Sequence, residues 1–182
     1  MLIATERLVL RRFRPGDAET LAAYRSAPEV ARYQSWRAPY SVERARYAIE
    51  TMAAADPEQP GWFQYAVELK DGGAHIGDVG VNLNDNLRQA EIGYTVAPER
   101  QGRGYATEAV RGVLDQLFRV RGLHKVSAEC DARNVASARV LERLGFTREG
   151  LLRGHTWIKD EWTDDLLYGL LEVDYLGPGA PS

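Results

Sequence analysis

The order of apolar and polar residues divides the chain into segments of two periods. Residues 7–13 alternate weakly and predict a strand, after which Pro15-Gly16-Asp17 turns the chain into a helix running to about Ser26. Ser41 is placed to cap a second helix, whose apolar positions Val42, Ala45, Ile49 and Met52 recur every three or four residues. Residues 55–61, with two prolines and a glycine, break that helix. The period then becomes two: Phe63, Tyr65, Val67 and Leu69 alternate with Gln64, Ala66 and Glu68. Lys70-Asp71-Gly72-Gly73 and Asn84-Asp85-Asn86 read as turns, so segments 63–69, 75–83 and 91–96 predict an antiparallel meander. In its last strand Ile92, Tyr94 and Val96 share one face and Glu91 points to the other.

The helical period returns at Ala106, Ala109, Val110, Val113, Leu114 and Leu117, a continuous apolar stripe that Gly122 is placed to terminate. A strand over 124–130, a shorter helix over 134–144 ended by Gly145, and strands over 146–153, 155–159 and 163–171 complete the chain. This order predicts a mixed α/β (α+β) fold with crossover connections late in the sequence.

Composition narrows the function classes. A chain of 182 residues predicts one domain over 1–176, with 177–182 as a disordered tail. The 45% apolar and 27% charged residues are ordinary for a soluble globular protein. A formal net charge of −3 argues against a dedicated nucleic-acid binder and against a polybasic membrane anchor. One cysteine, Cys130, excludes an intrachain disulfide and a multi-cysteine zinc site. His75, His124 and His155 show no metal-binding spacing, so no metal is expected. Charges interrupt the apolar residues at the N-terminus, no run is long enough to span a bilayer, and a cytoplasmic location is expected.

The strongest candidate for chemistry is the loop Gln101-Gly102-Arg103-Gly104-Tyr105-Ala106, between a strand stopped by Pro98 and the most regular helix. Two glycines allow a tight turn with unshielded N–H groups, and the helix N-terminus behind them favours an anion. A pyrophosphate suits such a cradle, and Arg100 and Arg103 are placed to add charge-assisted contacts. A P-loop is excluded because Gly104 is followed by Tyr105-Ala106 rather than Lys-Ser/Thr. Thr107 stands where a dinucleotide fingerprint needs its third Gly or Ala.

With these residues in place the chain resembles the GNAT superfamily of N-acetyltransferases. Gln101-x-x-Gly104-x-Ala106 matches that superfamily's acyl-CoA motif. The string from Gly93-Tyr94 to Thr107-Glu108-Ala109 is similar to the branch that acetylates ribosomal-protein N-termini. So are Asn134-x-x-Ser137, Leu144-Gly145-Phe146, Glu149-Gly150, and Trp157, Trp162, Asp164 and Tyr168. Upstream, Thr5-Glu6-Arg7-Leu8 and Pro28-Glu29-Val30 also fit, so the likeness spans residues 5–172. It implies a central, mostly antiparallel sheet of six to seven strands flanked by about four helices. That sheet is expected to be splayed where acetyl-CoA binds.

The resemblance also implies roles. The 101–106 loop would hold the pyrophosphate, and pantetheine would pair with the exposed backbone of the strand ending at Thr95-Val96. A free N–H there would polarise the thioester carbonyl. Asn134 would orient CoA and Ser137 would face the sulfur and donate a proton to the leaving thiolate; both are also residue types that favour helix starts. Glu91, acting through water, is a candidate base, or else a sheet-face charge. Thr156, beside His155, stands where some ribosomal-protein acetyltransferases carry a Glu, which leaves base and acceptor open. Trp36, Tyr40, Trp157 and Trp162 are candidates for an acceptor groove or for core. Cys130 reads as an inert thiol rather than an acyl carrier.

The expected reaction is direct attack of an amine on acetyl-CoA. An α-amine, with a pKa of about 7.7–8.0, asks far less of a base than a lysine at about 10.4, so a protein or peptide N-terminus is the first acceptor. The alternatives are a small amine (polyamine, amino acid or antibiotic-like), a longer acyl donor, or a non-catalytic acyl-CoA-binding module. The resemblance admits a homodimer, which no sequence feature demonstrates.

Overall fold

The computed structural model describes residues 2–177. Most of the expected tail, from 178 on, lies outside the described residues. One sheet of eight strands runs in the order β1 (Ile3–Ala4), β2 (Leu8–Arg11), β3 (Gly61–Leu69), β4 (His75–Leu83), β5 (Gln89–Val96), β6 (Lys125–Asp131), β8 (Glu161–Leu171), β7 (Thr147–Ile158). Every neighbouring pair is antiparallel except β5–β6.

The sheet thus has eight strands, not the six to seven expected. Ile3 and Ala4 pair with Leu10 and Val9, a strand too short to leave a periodic signal. The segments 146–153 and 155–159 merge instead of standing apart, joined through a register shift between Leu152 and Thr156. Gly154 takes a left-handed φ of +55° there and donates its N–H to Asp164 Oδ1, so the strand bulges rather than ends.

Among the described residues six α-helices flank the sheet, two more than expected, because the four-residue α2 (Pro28–Ala31) and five-residue α6 (Glu172–Leu176) are too short to show a period. α1 (Ala18–Ser26) and α3 (Val42–Ala54) cover one face, closing a small core of Phe13, Leu21, Tyr24, Ile49 and Ala66. Ser41 caps α3 as expected, its Oγ accepting from Arg44 N at 3.2 Å. α4 (Tyr105–Asp115) and α5 (Val135–Arg143) cover the other face over the main core. The α4 stripe Ala109, Val110, Val113, Leu114 and Leu117 is at most 3% exposed, and each large side chain so buried contributes about 1.5–3 kcal/mol. α4 runs on through a wider π-type turn, Gln116–Val120, and stops before Gly122 at φ +63°.

Two features position the site. β5 and β6 pair only over Gln89–Ile92 and Lys125–Ala128, after which both strands continue without bonding to each other. The N-terminal segment is tied to the start of α4: Glu108 accepts from Thr5 Oγ1 at 2.6 Å, Arg7 N at 2.7 Å and Arg7 Nε at 2.6 Å.

Candidate active site

The loop that follows β5 is shaped by its own side chains. Gln101 Nε2 donates to Val96 O at 2.9 Å, fastening the loop to the end of the strand. Gly102 and Gly104 take left-handed φ of +72° and +80°, a conformation that costs a side-chain-bearing residue roughly 1–2 kcal/mol. Gly104 is the N-cap of α4 and offers no side-chain cap, so the first N–H groups of an eleven-residue helix stay available. Arg7 packs beneath, donating to Arg103 O at 3.1 Å and lying 4.6 Å from the Tyr105 ring.

Above this loop opens a cavity of about 840 Å³ that passes through the gap between β5 and β6. Gly102, Gly104, Tyr105, Ala106 and Thr107 line its loop end together with Arg100, Arg139 and Arg143. Arg103, an expected contact, is not part of that lining. Arg139 and Arg143 were not singled out from the sequence, although their i, i+4 spacing on α5 puts them on one helix face. Ile92 to Val96 on β5 and Ala128 to Asp131 on β6 form the walls.

At the waist of the cavity, α5 meets β5. Asn134 caps α5, its Oδ1 accepting from Ser137 N at 3.2 Å, so the capping role is realised. Ser137 Oγ lies 2.9 Å from Tyr94 Oη, and Tyr94 also donates to Ser137 O at 2.9 Å. Burial pushes the Tyr94 phenol well above its ordinary range, beyond what its bond with Ser137 restores, so it stays protonated. Ser137 also bonds Cys130, whose thiol burial pushes up to about 11. That thiol stays protonated at neutral pH, as an inert group does. In the sequence Tyr94 shows only as one face of a strand and as part of the Gly93-Tyr94 stretch of the family resemblance, with no chemical role.

Beyond the gap the lining changes character. Trp36, Trp62 and Met52 supply apolar wall, and Glu29, Asp78, Glu129 and Asp131 supply carboxylates. Thr95 points to this side, 8% exposed and opposite Asp78 in the β4–β5 register. Glu91 lies outside the lining, where β5 is still paired between Asn82 and Ser127. The β6–β8–β7 pairing instead assembles Glu129, His155 and Asp165, with ligating atoms within 4.8 Å of one another. Thr156 Oγ1 donates to Asp165 Oδ2 at 2.6 Å. Burial, then neighbouring Asp165, raises the Glu129 carboxyl. No sequence spacing foreshadows this cluster, since three strands contribute to it. Of the four candidate aromatics, Trp36 lines the cavity and Tyr40 is buried core. Trp157 and Trp162 pack edge to face, 5.2 Å apart, on the exposed β7–β8 hairpin.

A sheet opened at one parallel pair, with a glycine loop and helix N-terminus at the gap, is the architecture of acyl-CoA-dependent transferases. Residues 7–147 match the acetyltransferase (GNAT) domain, and the chain belongs to that family of N-acetyltransferases. It is 34% identical over 172 residues to the uncharacterized N-acetyltransferase YoaA of Bacillus subtilis, covering 94% of this chain and 97% of that one. A GNAT acetyltransferase structure from Bacillus anthracis superposes with a TM-score of 0.86 at 28% identity, covering 94% of this chain and 99% of that one. A ribosomal-protein-S5-alanine acetyltransferase from Vibrio fischeri superposes with a TM-score of 0.81 at 25% identity, covering 96% and 98%. The spermidine N(1)-acetyltransferase of Vibrio cholerae is 30% identical over 96 residues, covering 53% of this chain and 56% of that one. Acetyltransferases of this family use acetyl-CoA as donor.

Proposed function

We propose that this N-acetyltransferase moves the acetyl group of acetyl-CoA directly to the α-amine of a protein or peptide N-terminus. The observation that carries this reading is the cavity lined by both walls of the β5–β6 gap, which joins the glycine loop, Arg100, Arg139 and Arg143 to the carboxylates Glu29, Asp78 and Glu129, the Arg25 guanidinium and the Trp36 and Trp62 rings. The residues present fit the donor. Arg100, Arg139, Arg143 and the N–H groups at the start of α4 suit phosphates, and the β5 edge from Gly93 to Thr95, paired with β4 but no longer with β6, suits an amide-bearing arm. Transfer forms a C–N bond and breaks the C–S bond; the departing thiolate takes a proton through the Ser137–Tyr94 hydroxyl pair, and the proton that the nitrogen loses on becoming an amide, released to solvent, balances the one taken up. The α-amine is favoured over a lysine-like amine because its lower pKa leaves more of it neutral.

The first test is thermal unfolding with acetyl-CoA, against NAD and ATP as controls. At a hundred times its Kd a ligand adds about 2.7 kcal/mol, roughly a 5–11 °C rise for a chain of this size. A rise with acetyl-CoA alone supports the donor, and no rise at millimolar concentration removes the transferase reading. Thiol release is then followed with short peptides bearing free or acetylated N-termini, and with spermidine. Faster release with free-amine peptides upholds the α-amine, whereas release with spermidine alone assigns a polyamine acceptor.

A further inference from the structure

The acceptor end of the cavity has a floor made of two glycines. Gly80 of β4 pairs with Gly93 of β5. A Cβ on Gly93 would meet open space, whereas one on Gly80 would sit 3.0 Å from Gln64 Oε1 and 3.1 Å from the Trp62 ring. Beside this floor stand unsatisfied hydrogen-bond acceptors. Gln64 Oε1 is buried and has no partner. Asp78, two residues before Gly80 on the same face, lines the cavity and is only 4% exposed.

The surroundings of Asp78 engage one of its oxygens. Tyr24 Oη donates to Oδ2 at 2.5 Å, and Arg25 Nη2 stands 3.9 Å from that same atom, beyond hydrogen-bond reach. Arg25 is held elsewhere, donating to Tyr40 Oη and lying 4.5 Å from the Trp36 ring. Among the described residues Oδ1 takes no hydrogen bond. Gln64 Oε1, in contrast, is buried without a partner, which is costly, whereas Asp78 Oδ1 is left open to the cavity, where a ligand donor can reach it.

Resting on the transferase reading above, we propose that Asp78, with Gln64 beside it, is the subsite that binds the acceptor's primary amine. A primary ammonium group carries only donors, and the two free atoms, Asp78 Oδ1 and Gln64 Oε1, are both acceptors. Asp78 Oδ1 takes one N–H and Gln64 Oε1 a second, while the open space over Gly93 leaves room for the nitrogen and the carbon next to it. The register places the amine correctly. Asp78 lies opposite Thr95, on the stretch of β5 that has parted from β6, whereas Glu91 lies where the two strands are still bonded. Asp78 is therefore a binding and positioning residue, and Tyr24 fixes its orientation.

The test uses minimal probes, n-propylammonium and n-propanol, titrated into the CoA-saturated protein and read from the backbone amide resonances of Gly80 and Gly93. Wild-type protein is expected to bind the ammonium about tenfold or more tightly than the alcohol, the scale of one hydrogen bond to a charged group. Asp78→Asn should lose that preference while keeping the thermal shift with acetyl-CoA. Gln64→Leu should weaken the ammonium by removing the second acceptor, again with the donor shift intact. Equal binding of the two probes by wild type, or an undiminished preference in Asp78→Asn, overturns the subsite. Should Asp78→Asn not fold, Gln64→Leu decides: wild-type ammonium affinity in it overturns the proposal and a loss upholds it. An absent acetyl-CoA shift in wild type would instead sink the transferase reading, a separate outcome.

Discussion

Ser137 Oγ and Tyr94 Oη lie 2.9 Å apart and join the first turn of α5 to the part of β5 that has left its partner strand. The contact spans the waist of the cavity, where a thioester sulfur and an incoming amine would meet. Two hydroxyls in series can pass a proton without either holding a charge. Ser137→Ala should therefore lower turnover about 10²-fold, the lower range for a positioned proton donor, with little change in the acetyl-CoA thermal shift. Tyr94→Phe should lower it less, because Ser137 keeps its own hydroxyl. Steady-state kinetics with the best peptide acceptor measure both, and full turnover in Ser137→Ala refutes the donor.

The donor loop depends on left-handed backbone at Gly104, where an added Cβ would also come within 3.5 Å of Arg7 Nη2. Gly104→Ala should cost roughly 1–2 kcal/mol of loop strain. Acetyl-CoA affinity should drop by about tenfold, with acceptor affinity preserved. Calorimetric titration of CoA into the variant checks this.

His75 gives a pH dependence with a defined sign. Burial lowers its pKa, outweighing the opposite pull of Asp17 and Asp78. A buried neutral imidazole contributes stability that is full above the unfolded value of about 6.5 and lost as pH falls from there towards the folded value. Asp17, lowered because its bonds to Arg11 and Arg14 outweigh desolvation, adds a second loss below about pH 4. Urea unfolding between pH 7 and 5 should show a falling midpoint in wild type and a flatter one in His75→Gln. Parallel slopes would contradict this account.

Gly77→Ala should be among the most damaging single changes. Its Cβ would fall 2.2 Å from the Thr95 carbonyl oxygen, so β4 and β5 cannot both keep their positions. Loss of soluble folded protein, or a melting point well below wild type, is the expected result. A wild-type melting curve would show that β5 is free to move.

Much of this architecture was legible in the sequence because its signals are local. The α4 stripe, the Ser41 cap, the Gly122 stop and the turns at 70–73 and 84–86 each depend on a few adjacent residues. So does the 101–106 loop, found where expected. What the sequence hid is set by pairing between distant segments. Glu91 could be assigned a face but not a neighbour, and the β5–β6 register leaves it outside the cavity. Asp78 carries no sequence signal of its own; α1 brings Tyr24 and Arg25 to it in the fold. Tyr94 gained its role only when α5 docked Ser137 against it, and Arg139 and Arg143 gained theirs through the same docking.

The binding of Arg7 and Thr5 to Glu108 makes the N-terminal segment part of the donor loop's support. These partners are separated by about a hundred positions in the chain, so the loop cannot reach its final shape until more than half the polypeptide has been synthesised. The loop's support is therefore non-local, built from a segment at the start of the chain rather than from the loop's own neighbours. An alternative start codon a few residues downstream, or a cleavage within the first seven residues, would leave a protein with its sheet largely intact and a slackened donor loop.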